Sequence, residues 1–308
     1  MTEDIAYWIA LSSLPGIGPV TFRRLCERFG TPENVFQAAR AEPDRPRGLR
    51  PETIAALRRG DRHLSAARKT ARELDRDGFD AVTFAEARYP APLRDLKDAP
   101  AVLYTRGRLP GPDARTFSVA GSTYPSARGA NISRSAGREL AEAGWTVVSG
   151  YALGIDSAAH AGALEEGGHT VLVLPMGIRA FELRPEFKRF RDELGGRMVL
   201  ISERPPNEAW SSRSAVLRDR IIAALGRALL VVEARPDSGT MITFRHALRL
   251  GRPAYVVKYR RSPPGASGNR LAIRAGGVPV ESMKALRDIA RAPELPTALP
   301  RAAQGELF

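Results

Sequence analysis

Six short runs rich in β-branched and aliphatic residues, FSVAGS, WTVVSGY, TVLVLPM, MVLISE, ALLVVEA and PAYVVKY, follow one another from Phe117 onward. Each is a short, mainly apolar segment rich in β-branched residues, as expected of a strand buried on both faces. Between them lie GANISRSAGRELAEAG, IDSAAHAGALEEG, RPEFKRFRDELGG, SAVLRDRIIAALG and MITFRHALRLG, predicted helices that each end near a glycine able to serve as a C-cap. Alternation of this kind predicts an α/β fold with a doubly wound, mainly parallel sheet.

The chain ahead of this pattern reads differently. LSSLPGIGPVTFRRLCERFG sets a Pro-Gly-Ile-Gly turn between two helical patterns, with Val20, Phe22, Leu25 and Phe29 near a helical period. This has the form of a helix-hairpin-helix, whose glycines Gly16 and Gly18 let backbone N–H groups approach a phosphate, or simply allow a packed helical pair to bend. A proline- and charge-rich loop is predicted near 42–52, then a helix over roughly 51–77. The expected organisation is a small all-α domain at 1–78, a larger domain at 79–291 and an extended tail at 292–308.

Charge is uneven. Residues 1–116 hold 20 basic and 16 acidic side chains and the rest hold 27 and 18, so +4 of the net +13 falls in the first part and +9 in the second. Between Asp237 and Glu281 there is no acid, while Arg245, Arg249, Arg252, Lys258, Arg260, Arg261, Arg270 and Arg274 fall there. Such a stretch suits a polyanionic partner. A lone cysteine, Cys26, and four scattered histidines argue against a disulfide or a metal site. No apolar run reaches the roughly 18–20 residues a membrane span needs, and acidic residues stand where a signal peptide carries basic ones. A cytoplasmic location without membrane attachment is expected.

In a doubly wound sheet, ligands bind where the strands end. Those positions supply Gly121, Ser122 and Thr123; Ser149, Gly150 and Gly154; Ser202 and Glu203; Glu233; and Ser238, Gly239 and Thr240. Small residues, hydroxyls and backbone amides suit phosphate oxygens. Ser238 or Thr240 is expected to cap the helix that follows. There is no G-x-S-x-G elbow, no Walker A sequence and no G-x-G-x-x-G after the first strand. His160 is expected to be a packed helix residue and Asp156 a helix cap, so no catalytic residue is predicted.

The order AGS, SGYALGIDSAAHAGALEEGG, SE, RDRIIAALGRALLVVEARPDSGT and SGNRLAIRAGG resembles the DprA/Smf family of DNA-processing proteins. The preceding YPAPLRDLKDAPAVLYTRG resembles that family's lead into a Rossmann-like domain, and the N-terminal hairpin its helical domain, of helix-hairpin-helix or SAM-like type. The resemblance implies a non-enzymatic protein without cofactor that binds single-stranded DNA and self-associates as a homodimer. It further implies help in loading a RecA-type recombinase during transformation or recombination. It places Gly121, Ser122, Ser149, Gly150, Gly154, Arg218, Arg220, Ser238 and Gly239 on the DNA edge, and Thr123, Thr240, Lys258, Arg260 and Arg270 are added as candidates. The winged-helix domain of many members has no expected place here.

This chain departs from the family pattern. Thr123 and Leu153 stand where the family usually has cations, Asp219 stands at the centre of its RNR triplet, and Lys258-Tyr259 replaces a proline-glycine. Each missing cation removes one site of counterion release. Either the basic run 245–274 compensates or the pocket takes a smaller ligand, which keeps a nucleotide sensor as the alternative. A nucleotide phosphoribohydrolase fits less well, because Gly239-Thr240 lacks the carboxylate that should follow. Finally, the chain ends in Gln304-Gly305-Glu306-Leu307-Phe308, which looks like a sliding-clamp peptide with Gln304, Leu307 and Phe308 as its anchors.

Overall fold

The computed structural model describes residues 3–41 and 49–295. Most of the loop expected at 42–52 and the residues 296–308, with Gln304, Leu307 and Phe308, lie outside the described residues.

Five helices come first: α1 (Glu3–Ser12), α2 (Pro19–Phe29), α3 (Pro32–Ala41), α4 (Pro51–Arg58) and α5 (Gly60–Arg76). The single helix expected over 51–77 is therefore two. Phe36 packs so tightly on Gly60 that a Cβ there would sit 2.8 Å from the ring, and the chain turns at that point. In α5, Leu64, Ala67, Ala71 and Leu74 share a buried face at helical spacing.

The remainder is one nine-stranded sheet with its connections. In chain order these are β1 (Asp80–Thr83), β2 (Val102–Arg106), β3 (Thr116–Ala120), α6 (Ala127–Glu142), β4 (Thr146–Ser149), α7 (Ile155–Glu165), β5 (Thr170–Val173) and β6 (Met198–Ser202). They are followed by α8 (Ser212–Leu225), β7 (Ala228–Val231), α9 (Gly239–Arg249), β8 (Ala254–Val257), α10 (Asn269–Arg274), β9 (Val278–Val280) and α11 (Met283–Arg291). The strand order is β1-β2-β6-β5-β4-β3-β7-β8-β9. All six expected strands are present, and β3 to β9 pair in parallel. The lead-in segment supplies two strands that were not expected: β1 pairs antiparallel with β2, and β2 antiparallel with β6. RPEFKRFRDELGG is not an α-helix but 3-10 turns kinked at Phe190.

Alternate strand residues divide between two layers. Leu172, Leu174, Met198 and Leu200 face the five N-terminal helices and form one core with Trp8, Leu11, Phe36 and Leu74. Phe117, Val147, Leu230 and Tyr255 lie under α6, α7 and α11. On the opposite face Val171, Val173, Val199 and Ile201 pack against α8, and Leu229, Val231 and Val256 against α9. The α6–α7 contact is close because Gly137 and Gly162 face it; a Cβ on either would strike a carbonyl of the other helix.

At the far margin, β9 pairs with β8, and the Val280 carbonyl accepts from Lys258 N at 2.9 Å. Ladder alternation then turns the intervening Pro279 outward. Among the described residues, no helix is long and apolar enough to cross a membrane.

Candidate functional site

The strand order reverses between β3 and β7: from β3 the chain builds β4, β5 and β6 to one side, then returns to place β7, β8 and β9 on the other. A crevice opens at such a switch, outside the carboxyl ends of the strands. Ser122 N donates to Glu233 O at 2.8 Å and holds the two diverging loops together. Beside them lies a pocket of about 710 Å³.

Eight of the expected site residues line it: Gly121, Ser122, Thr123, Gly150, Arg218, Ser238, Gly239 and Thr240. The helix they approach, α9, starts at Gly239, and Ser238 stands at its N-cap. Contrary to expectation its hydroxyl does not cap the helix, because it donates to Arg235 O at 2.7 Å. The first amides of α9 therefore have no side-chain acceptor of the capping kind.

The SGYALGID loop is shaped by backbone constraints. Tyr151 has φ 56° and Gly154 φ 76°, conformations rarely taken by residues with a Cβ. A Cβ on Gly154 would come within 2.5 Å of Ser122 O, so this glycine supports the neighbouring loop without lining the pocket. Gly150 N and Ala152 N donate to Asp156 Oδ2 at 3.1 and 3.3 Å, so Asp156 braces this loop. Arg184 clamps the loop from above: its guanidinium lies 3.9 Å from the Tyr151 ring centre and donates to Tyr151 O and Ser157 Oγ at 2.7 and 2.8 Å.

Arg218 lies flat against Gly150, where any side chain would collide with its guanidinium, and donates to Val173 O at 2.9 Å. Asp219 is 3.4 Å from it and 9% exposed. Burial pushes the Asp219 carboxyl up to about 7; nearby Asp156 adds to this, and Arg218 and the Thr243 hydroxyl only partly oppose it. Asp156 is likewise raised by burial, against the pull of Arg218. The pocket lining thus carries three cations, Arg184, Arg218 and Arg235, against four carboxyls, Asp156, Glu182, Asp219 and Asp237. For a chain of net charge +13, this is a pocket with no cationic surplus.

Other expected site residues lie elsewhere. Ser149 is buried and donates to Val119 O at 2.6 Å. Arg220 points away from the pocket, where it meets both Glu203 oxygens at 2.7 Å and Asp98 Oδ2 at 2.7 Å. Ser202 donates to Met176 O at 2.6 Å. Glu233 turns inward, where it is fully buried and accepts from Ser126 N at 3.0 Å and Tyr259 OH at 3.2 Å. Lys258 pairs with Glu281 at 2.6 Å beside a separate, smaller cleft. For Ser149, Ser202, Arg220 and Glu233 the reason is common: a polar group near a strand end can turn inward whenever a partner awaits it there, and sequence spacing does not show the partner. Lys258 and Glu281 stay exposed and simply pair at the surface.

Arg260 and Arg270 are exposed and flank the pocket instead of lining it. Asn269 fixes this flank. Its side chain accepts from Ala234 N at 2.9 Å and donates to Val232 O and Val257 O at 2.8 Å each, pinning α10 at the ends of β7 and β8. Arg235, Arg260, Arg261 and Arg270 follow these strand ends, and no carboxylate of the described residues lies within 4.0 Å of them.

The N-terminal hairpin is partly committed to packing: Thr53 Oγ1 donates to Pro15 O at 2.8 Å, in the space where a side chain at position 16 would have to fit. The side of Gly18 is open.

Sequence reasoning missed Arg184 and an aromatic rim. Trp210 lines the pocket yet is 60% exposed, and Tyr124, next to Thr123, is 83% exposed. A tryptophan in the polar stretch PPNEAWSS was the available signal, since a large ring without a core around it asks for a partner.

The family model described as DNA recombination-mediator protein A matches residues 80–290. Protein Smf of Synechocystis is 30% identical over 257 residues, covering 82% of this chain and 64% of its own length. The DNA processing protein DprA of Bacillus subtilis is 30% identical over 200 residues, covering 65% and 67% respectively. The chain thus spans about two thirds of the length of these relatives. The crystal structure of DNA processing protein A from Streptococcus pneumoniae superposes with a TM-score of 0.73 at 28% identity, over 93% of this chain and 97% of that one. DNA processing protein A from Helicobacter pylori shares the fold, with a TM-score of 0.59 at 23% identity over 68% and 94%.

Proposed function

Because this chain belongs to the DprA/Smf family of DNA recombination-mediator proteins, we propose that it binds single-stranded DNA along the carboxyl edge of its sheet and presents the strand to a RecA-type recombinase. The observation that carries this reading is the exposed row Arg235, Arg260, Arg261 and Arg270, held beside the pocket by Asn269 and without acidic partners among the described residues. Cations so placed can follow a phosphate backbone while bases turn into the pocket. The Helicobacter pylori relative is described as having a single-stranded DNA binding mode, which agrees with this reading.

No chemical step belongs to it. His160 is fully buried, its Nδ1 lies 2.6 Å from Thr170 Oγ1, and burial pushes the imidazole down to about 3. It is a core residue, and Asp156 is a loop brace.

Titration of a labelled oligo-dT and of a duplex of equal length, at several salt concentrations, tests the reading. The single strand is expected to bind more tightly, and changing Arg260 and Arg261 to Ala should reduce the logarithmic salt slope by about 1 for each phosphate no longer neutralised. Equal affinity for both forms, or no binding, overturns it.

Two partners complete the proposal. A second copy pairs through the sheet domain, which light scattering at tens of micromolar reads directly as a dimer or a monomer. The tail engages a sliding clamp through Gln304, Leu307 and Phe308; a labelled RAAQGELF peptide should bind the clamp and lose binding when Leu307 and Phe308 become Ala. A peptide that never binds removes this part.

A further inference from the structure

The pocket at the switch point is a poor receptor for phosphate. Its four carboxyls outnumber its three cations. Two of those cations already serve protein groups, Arg184 on the Tyr151 loop and Arg218 on Val173 O. The N-terminus of α9, where an anion would otherwise settle, already faces one: a Cβ on Gly239 would lie 3.1 Å from Asp219 Oδ2. Meanwhile the rim is apolar and aromatic, with Trp210 and Val216 on the lining and Tyr124 and Leu153 beside it, all exposed.

These features suit the other half of a nucleotide. Exposed rings offer stacking surfaces to a base, and a buried carboxylate offers two acceptors on one planar edge. We propose that the pocket seats a guanine base, read on its Watson–Crick edge by the Asp219 carboxylate and stacked against Trp210. Guanine presents two adjacent N–H donors, N1 and N2, in the fork that a carboxylate accepts in bidentate fashion. Adenine and cytosine each set a ring-nitrogen acceptor beside their amino group, and thymine flanks its single N–H with two carbonyls. Each of these turns a lone pair toward the ionised carboxylate and is rejected at pH 8, above the point near 7 at which Asp219 loses its proton. Among the described residues Asp219 has only Arg218 at 3.4 Å and the Thr243 hydroxyl, itself 3.2 Å from Gly239 O, to satisfy it, so an incoming pair of donors fills an existing need.

The proposal rests on the single-strand reading for the source of the base, and a free guanine nucleotide offers the same chemistry. Fluorescence anisotropy separates the two. The probes are labelled oligo-dT, the same strand with two isolated guanines, and versions carrying inosine, which lacks the N2 amino group, or 7-deazaguanine, which keeps the Watson–Crick edge. The guanine strand is expected to bind about tenfold more tightly than oligo-dT. Inosine should return it to the oligo-dT level, and 7-deazaguanine should not. Asp219→Asn should erase the guanine preference while oligo-dT still binds, and Trp210→Ala should weaken every strand.

If the full-length protein binds guanine, inosine and thymine strands within about twofold, the base assignment is overturned and the single-strand reading stands. A guanine preference that survives in Asp219→Asn overturns the role given to that carboxylate. Deoxyguanosine monophosphate that binds while no strand does overturns the single-strand reading and keeps the base assignment, with the free nucleotide as ligand. Binding of neither overturns both.

Discussion

Replacing Arg220 by Ala is expected to cost about 3–5 kcal/mol of stability, among the largest losses available to a single substitution in this chain. Arg220 is 6% exposed, and its guanidinium bonds both oxygens of Glu203, the carboxylate and carbonyl of Asp98, and Leu217 O. It ties α8 to the end of β6 and to the loop before β2, positions 17 and 122 residues distant in sequence. Removing it leaves the Glu203 side chain, 10% exposed, with an uncompensated charge. Urea unfolding monitored by circular dichroism reads the loss. Arg220→Lys should rescue little, because an ammonium cannot make the planar fork. Adding Glu203→Gln to Arg220→Ala should recover part of the stability, since the orphaned charge is then gone. A loss below about 1 kcal/mol contradicts this account. Arg218 and Arg220 thus face different surroundings, Arg218 on the pocket and Arg220 on Glu203 and Asp98, despite their spacing in RDR.

Asp219→Asn is expected to change the pH dependence of stability. The folded carboxyl titrates near 7 and the unfolded one near 3.8. Between those values the folded state holds a proton that the unfolded state has released, so stability falls as pH rises through the window and the loss is complete above 7. Asparagine does not titrate. Relative to the parent, the variant should therefore gain about 2–3 kcal/mol on going from pH 5 to pH 8. Comparing urea midpoints of both proteins at the two pH values isolates this change from any packing effect of the substitution. A pH-independent difference shows that Asp219 is ionised throughout. The substitution also gives the Arg-Asn-Arg order that the family resemblance leads one to expect, and it removes the buried carboxyl that this chain keeps there.

The six central strands were legible because each is apolar on both faces, a pattern few other structures produce. The strands at the margins were not. Asp80–Thr83 and Val102–Arg106 are short and sit among turn residues, and only their neighbours across the sheet make them strands. The Pro185–Glu193 segment misled for another reason. Its charges and aromatics follow a helical period, but Phe187 packs on both Tyr151 and Phe190, and the kink at Phe190 serves that cluster. At the site, residues that act through their backbone or small size, Gly121, Gly150 and Gly239, could be placed from sequence because strand ends set their position. Charged side chains could not. Glu233, Arg220 and Lys258 turn toward partners 17 to 122 residues away in sequence, a distance over which periodicity carries no information.

Pro279 bears on how copies of this chain can join. Sheet proteins often pair by laying an edge strand against another, and each outward-facing residue must then offer an N–H to the newcomer. Proline has none to offer at the centre of three-residue β9. Growth of one continuous sheet across that margin is interrupted at its middle rung, so two copies meeting on that side must seal through side chains of helices such as α11, with an interface that alanine substitutions can dissect and backbone pairing cannot mask.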